Sequence, residues 1–239
     1  MKKIINKFLL LIIILTITLI SLLSTIGIET NKFNKFITDK VSQTKNITLE
    51  LSTVKFKLNL KQLNLFIETI NPKITFKNII VPVQNVKTYI DFYSLIKSDL
   101  KIKKINLIFE ELDIVQLNQL SKIIKPSNFK SLINNKIKEG ILVSEIEIFL
   151  TEQGVFKDFI AKGSVKDSKV ELFNGLNFSR ANFSFFADKS DVLIKNIFGD
   201  LEDIKISDGD IKLNFEDGIK LTLNFNSKIN LDELLLNKY

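Results

Sequence analysis

Apolar residues follow three successive patterns along this chain. From Phe8 to Ile28 they are nearly continuous: FLLLIIILTITLISLLSTIGI carries no charge. As an α-helix this run spans roughly 30 Å, the thickness of a bilayer's hydrocarbon core. It predicts a transmembrane anchor, so that residues 1–28 form a cytoplasmic tip and a single membrane pass. Lys2, Lys3 and Lys7 are the only charges ahead of the run. By the positive-inside rule the N-terminus stays in the cytoplasm and everything after Ile28 crosses. A cleaved signal peptide is the competing reading. Its apolar run is shorter, about 7–15 residues, and ends at a small-x-small site, which Thr25-Ile26-Gly27 matches poorly.

After the anchor, Phe33, Phe36, Ile37 and Val41 share one helical face, a short amphipathic extension. The period then drops to two, the signature of strands. Ile47, Leu49 and Leu51 alternate with polar neighbours. Past Ser52-Thr53 the phase flips to Val54, Phe56, Leu58 and Leu60, which predicts a bulge or a bend. Further strands are predicted over Leu63–Ile70, Lys73–Val81, Val86–Phe92 and Leu100–Phe109, with a turn at Asn71-Pro72. These make a first β segment over 29–112.

Residues 113–139 return to a helical period. Asp113 is placed to cap a helix with Leu117, Leu120 and Ile124 on one face. Pro126 interrupts it, and Ser127 is placed to cap a second helix with Phe129, Leu132, Ile133 and Ile137 inward. Lys122, Lys125, Lys130, Lys136 and Lys138 line this insert. They form either a solvated face or a contact for anionic head groups or an acidic partner.

From 140 to 239 the pattern is a β-meander, with hairpin signals at Asn174-Gly175, Asp208-Gly209 and Asp217-Gly218. The last is the cleanest. Ile211, Leu213 and Phe215 precede the turn, and Ile219, Leu221, Leu223 and Phe225 follow it, all alternating with polar residues. Such a hairpin has one dry side and one wet side. The dry side either packs against a second sheet as an ordinary core or, if the sheet curls without closing, forms a groove suited to acyl chains. The final strand, around Lys228–Leu231, is an edge open to strand addition.

Composition narrows the chemistry. The chain has no Cys and no His. That removes disulfides, thiol nucleophiles, Cys-based zinc sites, the commonest general base and the commonest metal ligand. No catalytic residue, metal site or cofactor is predicted, and no Ser/Lys nucleophile motif stands out. The acidic cluster Asp200, Glu202, Asp203, Asp208 and Asp210 lacks the spacing of a calcium loop. The net charge of +7 fits a basic surface beside anionic lipid head groups. Nucleic acid is not an expected partner for a domain across a membrane.

The order of these signals resembles the N-terminal part of the AsmA-like family, which includes the TamB-type bridge-like envelope proteins. The resemblance is carried by the anchor with its amphipathic turn and by Asn71-Pro72-Lys73-Ile74-Thr75-Phe76-Lys77-Asn78-Ile79-Ile80-Val81-Pro82. It continues through Tyr89–Ile96, Leu100–Leu107, and Ala161-Lys162-Gly163-Ser164-Val165-Lys166-Asp167. It implies an inner-membrane protein with its main domain in the periplasm, binding or passing phospholipid along a hydrophobic β-groove, without catalytic residues. Family members are usually much longer than this chain. The expected fold is mainly β (α+β): an anchor helix, then an elongated, curled antiparallel sheet with a short helical insert. The lipid-groove candidates are Ile211, Leu213, Phe215, Ile219, Leu221, Leu223 and Phe225. Two other readings stand beside this one. One is an assembly or scaffold protein that takes up a partner strand at the C-terminal edge. The other is a lipopolysaccharide-export component of the jelly-roll type.

Overall fold

The computed structural model describes residues 2–31, 34–42, 47–61, 64–90, 101–122, 135–172, 175–202, 204–216, 218 and 220–228. It is mainly β. Its helices include α1 (Lys2–Thr25), α2 (Asn34–Ser42) and α3 (Ile114–Ser121). The first seven strands are β1 (Ile28–Thr30), β2 (Ile47–Glu50), β3 (Thr53–Asn59), β4 (Asn64–Ile70), β5 (Lys73–Phe76), β6 (Ile79–Val81) and β7 (Val83–Ile90). Then follow β8 (Ile102–Phe109), β9 (Leu112–Asp113), β10 (Ile137–Leu150), β11 (Phe156–Glu171), β12 (Asn177–Ala187), β13 (Asp191–Leu201), β14 (Ile204–Asn214) and β15 (Lys220–Lys228).

Twelve strands form one sheet in the order β1-β3-β4-β7-β8-β10-β11-β12-β13-β14-β15, with β9 on β10. Among the described residues this order is open, running from β1 to β15 without closing into a barrel. A second sheet has the order β2-β5-β6. The chain divides into two compact units, Met1–Ile108 with Glu147–Lys157, and Phe109–Ile146 with Asp158–Tyr239.

The first unit holds α1. Ile4–Thr25 is long and apolar enough to cross a membrane, and none of it is buried in protein. The hydroxyls of Thr16, Thr18, Ser24 and Thr25 donate to carbonyls about one turn back, the kind of internal partner a hydroxyl needs in hydrocarbon. The phase flip at Ser52-Thr53 is the expected bend and not a bulge, and the bend carries the chain from one sheet to another: β2 pairs with β5 while β3 pairs with β1 and β4. The strand expected over Lys73–Val81 is instead the hairpin β5–β6. Lys77 and Asn78 turn it with φ of 50° and 64°. Asn71-Pro72 is the expected turn, with Asn71 at φ 48° and its N–H donating to the Gln84 carbonyl at 2.8 Å.

Val54, Val83 and Ile90 are the buried apolar residues of this unit among those described. A charged network lies on the β3–β4–β7 surface. Glu68 is almost buried, paired to Lys57 at 2.7 Å and Lys87 at 3.8 Å, and accepts from Asn85 at 2.8 Å. Burial alone would raise its pKa. The hydrogen bonds from Lys57 and Asn85 and the two lysine charges outweigh that and hold it below the ordinary carboxylate value.

The second unit is a meander with α3 at its start. Asp113 caps α3 as its side chain accepts from the Gln116 N–H at 2.8 Å, while the Gln116 side chain accepts from the Asp113 N–H. This reciprocal pair satisfies two of the orphan donors at the helix start. The insert expected over 113–139 is shorter at its far end. Ile137, assigned to an inward helical face, opens β10, where IKEGILVSEIEIFL gives β-branched residues a place in the sheet. Residues 123–134, with Lys125, Lys130 and the proposed Ser127 cap, lie outside the described residues.

The hairpin expected around Gly218 is present: β14 pairs antiparallel with β15, and Gly218 between them takes φ 95°, while Asp217 lies outside the described residues. Asp208-Gly209 is not a hairpin. Both residues sit inside β14 and pair with Asn226 and Phe225 of β15. Among the described residues of this unit, only Leu112, Ala181, Ile197 and Ile206 are buried apolar residues.

Candidate functional site

The β14–β15 register places Ile211 opposite Leu223, Leu213 opposite Leu221, and Gly209 opposite Phe225. Directly opposed side chains project to the same side of a sheet, so five expected groove residues, Ile211, Leu213, Leu221, Leu223 and Phe225, share one face. Across β13 the face continues through Ile194, opposite Ile211, and Val192, opposite Leu213. Across β12 it continues through Phe185 and Ala187. The other side carries Lys212 opposite Thr222 and Asp210 opposite Asn224. Phe215 lies just past β14, its N–H bonded to the Ser190 carbonyl at 2.8 Å. Ile219 is outside the described residues.

Simple alternation would not keep this face apolar over its full height, because each strand slips once. The pairings gain one extra residue on β11, on β12, on β13 and on β14. On the first three the extra residue is Asp167, Arg180 or Asn196, with φ of 48°, 50° and 54°. On β14 the slip falls between Ile206 and Asp208. These β-bulges lie side by side and are joined by side chains. The Asp167 N–H donates to Asn182 Oδ1, Asn182 Nδ2 donates to the Arg180 carbonyl, and the Asn196 N–H donates to Asp210 Oδ1. Each bulge flips the phase, and the apolar residues flip with it. On β12, Phe178 lies before the flip and Ala181, Phe183 and Phe185 after it. On β13, Ile194 lies on one side of the flip and Ile197 on the other. A row of bulges bends and twists the strands that carry it.

Three glycines give the face its relief. A Cβ at Gly163 would meet the Phe185 ring at 2.8 Å and one at Gly199 the Phe178 ring at 3.0 Å, while one at Gly209 would overlap the Phe225 ring. The rings of Phe185, Phe178 and Phe225 therefore lie over neighbouring strands in the space a side chain would fill. The result is an apolar surface of low, flat rings. Leu221, Leu223, Phe225 and Phe215 are 56%, 54%, 43% and 42% exposed, while Ile211 and Leu213 are half-buried by their neighbours.

Of the predicted lysines, Lys122, Lys136 and Lys138 are among the described residues. Lys122 is exposed just after α3. Lys136 and Lys138 both bind Glu171, at 3.1 and 3.3 Å. Their hydrogen bonds and charges lower the pKa of Glu171. In the acidic cluster, Asp200 binds Arg180 and Glu202 accepts from the Asn177 N–H. Among the described residues no acidic group converges on a metal-sized space.

Sequence reasoning missed the part of the face formed by β11–β13. The signal was present as a broken alternation, F-S-R-A-N-F-S-F-F over Phe178–Phe186, whose phase changes at Arg180. Comparison of the chain with protein-family models, curated proteins and solved structures finds no match in any of the three.

Proposed function

We propose that this is a single-pass membrane protein that binds or passes phospholipid, with the acyl chains lying against the apolar face of β12–β15. The observation that carries the reading is the exposure of Leu221, Leu223 and Phe225 on a face whose reverse side is polar along β14–β15. Apolar surface of this kind gains about 25 cal/mol per Å² when covered, and a contiguous exposed patch marks a binding surface. The anchor supports a lipid ligand, because it keeps the domain next to a membrane. In this reading the N-terminus is cytoplasmic, the sheet stands in the periplasm of an envelope, and the action is non-enzymatic. This is the role the AsmA-like resemblance implies.

The test is site-specific photocrosslinking in intact membranes. A photoreactive phenylalanine analogue at position 223 or 225 is expected to capture lipid, and the same probe at 222 or 224 is not. Equal lipid capture at both sets, or none at either, overturns the proposal.

A second reading rests on β15 ending the sheet order. Residues 229–231 of the expected edge lie outside the described residues, but β15, nine residues long, is the last strand of the order among those described, a place that suits addition of a strand from an envelope partner. Protein adducts in place of lipid adducts at position 223 would favour it. The jelly-roll reading loses support from the neighbour-to-neighbour order of β10–β15, which lacks Greek-key crossovers.

A further inference from the structure

On the polar side of the second unit, where β12, β13 and β14 bulge, there is an open cleft of about 430 Å³. Arg180, Phe198, Asp200, Lys205 and Ser207 line it, with Gly199 and Ile206 beneath. Asp200 and Lys205 are directly opposed across β13 and β14, and Phe198 stands two residues before Asp200, so all three project to this side. The carboxylate of Asp200 does not pair with Lys205. It is taken by Arg180, whose Nε donates to Oδ2 at 2.6 Å. Among the described residues Lys205 has no ion pair, and the two Nη groups of Arg180 have no acceptor. One negative charge therefore stands between two positive ones.

The backbone at Arg180 is a second and independent observation. Left-handed φ values are uncommon outside glycine and favour Asn and Asp. The neighbouring bulges obey this, with Asp167 and Asn196, whereas β12 places an arginine at φ 50°. Strain of this kind concentrates at binding sites, and bulges re-aim side chains there. The effect of this bulge is to bring the guanidinium beside Asp200, over the cleft. Phe198, 48% exposed, gives the charged cleft one apolar wall.

We propose that this cleft binds a phosphate-ester anion, gripped by the Nη groups of Arg180 and by Lys205, with the organic part of the ligand against Phe198. Guanidinium and ammonium donors are the groups that recognise phosphate oxygens. The site lies on the opposite side of the sheet from the apolar face and does not depend on it. A lipid head group and a free phosphate share this chemistry.

The test uses the full chain in dodecyl maltoside, a detergent without phosphate, with isothermal titration calorimetry at constant ionic strength. The probes are inorganic phosphate and glycerophosphoglycerol, a phospholipid head group without its acyl chains. At least one probe is expected to bind, with affinity reduced tenfold or more in Lys205→Gln and in Arg180→Gly. Lys205→Gln breaks no ion pair, and glycine adopts the left-handed backbone without strain. Thermal melts of both variants confirm that they fold. Tighter binding of glycerophosphoglycerol identifies a head-group source, and tighter binding of phosphate a free anion. Binding of neither probe, or unchanged affinity in both folded variants, overturns the proposal.

Discussion

Replacing Leu221 and Leu223 together with Asp separates a ligand face from a core. Fully burying a leucine side chain is worth about 1.5–3 kcal/mol. These two are 56% and 54% exposed, so roughly half of that remains to be gained when a ligand covers them, about 1–1.5 kcal/mol each. The double variant is expected to lose about 2–3 kcal/mol of acyl-chain binding, some 30- to 150-fold in affinity. Its folding loses only the half already buried, about 1 kcal/mol per site. In a closed core, removing one such leucine would cost about 2–5 kcal/mol, and a buried charge more. The assay pairs lipid copurification by native mass spectrometry with thermal unfolding by circular dichroism, both on the full chain. The expected result is a folded protein with a small drop in Tm and no bound phospholipid. Collapse of the fold in the double variant, or undiminished lipid in a folded one, would refute the reasoning.

The glycines beneath the rings are expected to differ in tolerance. Gly163→Ala drives a Cβ into the Val143 carbonyl and the Phe185 ring, an overpacking expected to cost about 1–3 kcal/mol in denaturant titrations. Gly209→Ala overlaps the half-exposed ring of Phe225 and presses lightly on Ile197, with no backbone atom in the way; its unfolding midpoint is expected to move less than that of Gly163→Ala. Asp113→Ala removes the capping box of α3 and is expected to cost about 0.5–2 kcal/mol, read as faster amide exchange over Ile114–Leu117. Glu68 has its pKa depressed in the folded state, so its contribution is full above the unfolded carboxylate pKa and disappears as pH falls through the folded one. Glu68→Gln is therefore expected to flatten the acid limb of the stability–pH profile below about pH 4.5, and an unchanged limb would remove Glu68 as its source.

The sequence by itself determined the elements whose signal is local. The apolar helix α1, long enough to cross a membrane, follows from an uninterrupted apolar run, and no packing decision is needed to see it. Asp113 as a cap, Asn71-Pro72 as a turn, and the β14–β15 hairpin with its dry side follow from residue type and a constant period of two. Much of the candidate face was legible for the same reason, since five of its residues sit in that one hairpin. Tertiary structure decided wherever a local signal has two solutions. A phase flip can be a bulge or a change of sheet. At Ser52-Thr53 it is a change of sheet, because β2 finds its partner in β5. At Arg180 it is a bulge, because β12 keeps the same neighbours on both sides. A glycine can turn a chain or make room. Gly218 turns it, while Gly209 makes room for Phe225 on a strand eleven residues long. Whether the dry face is covered depends on what other elements pack there, which no period along the chain encodes. Nor does any period bring Arg180, Asp200 and Lys205 together, since they meet only when three strands align their bulges.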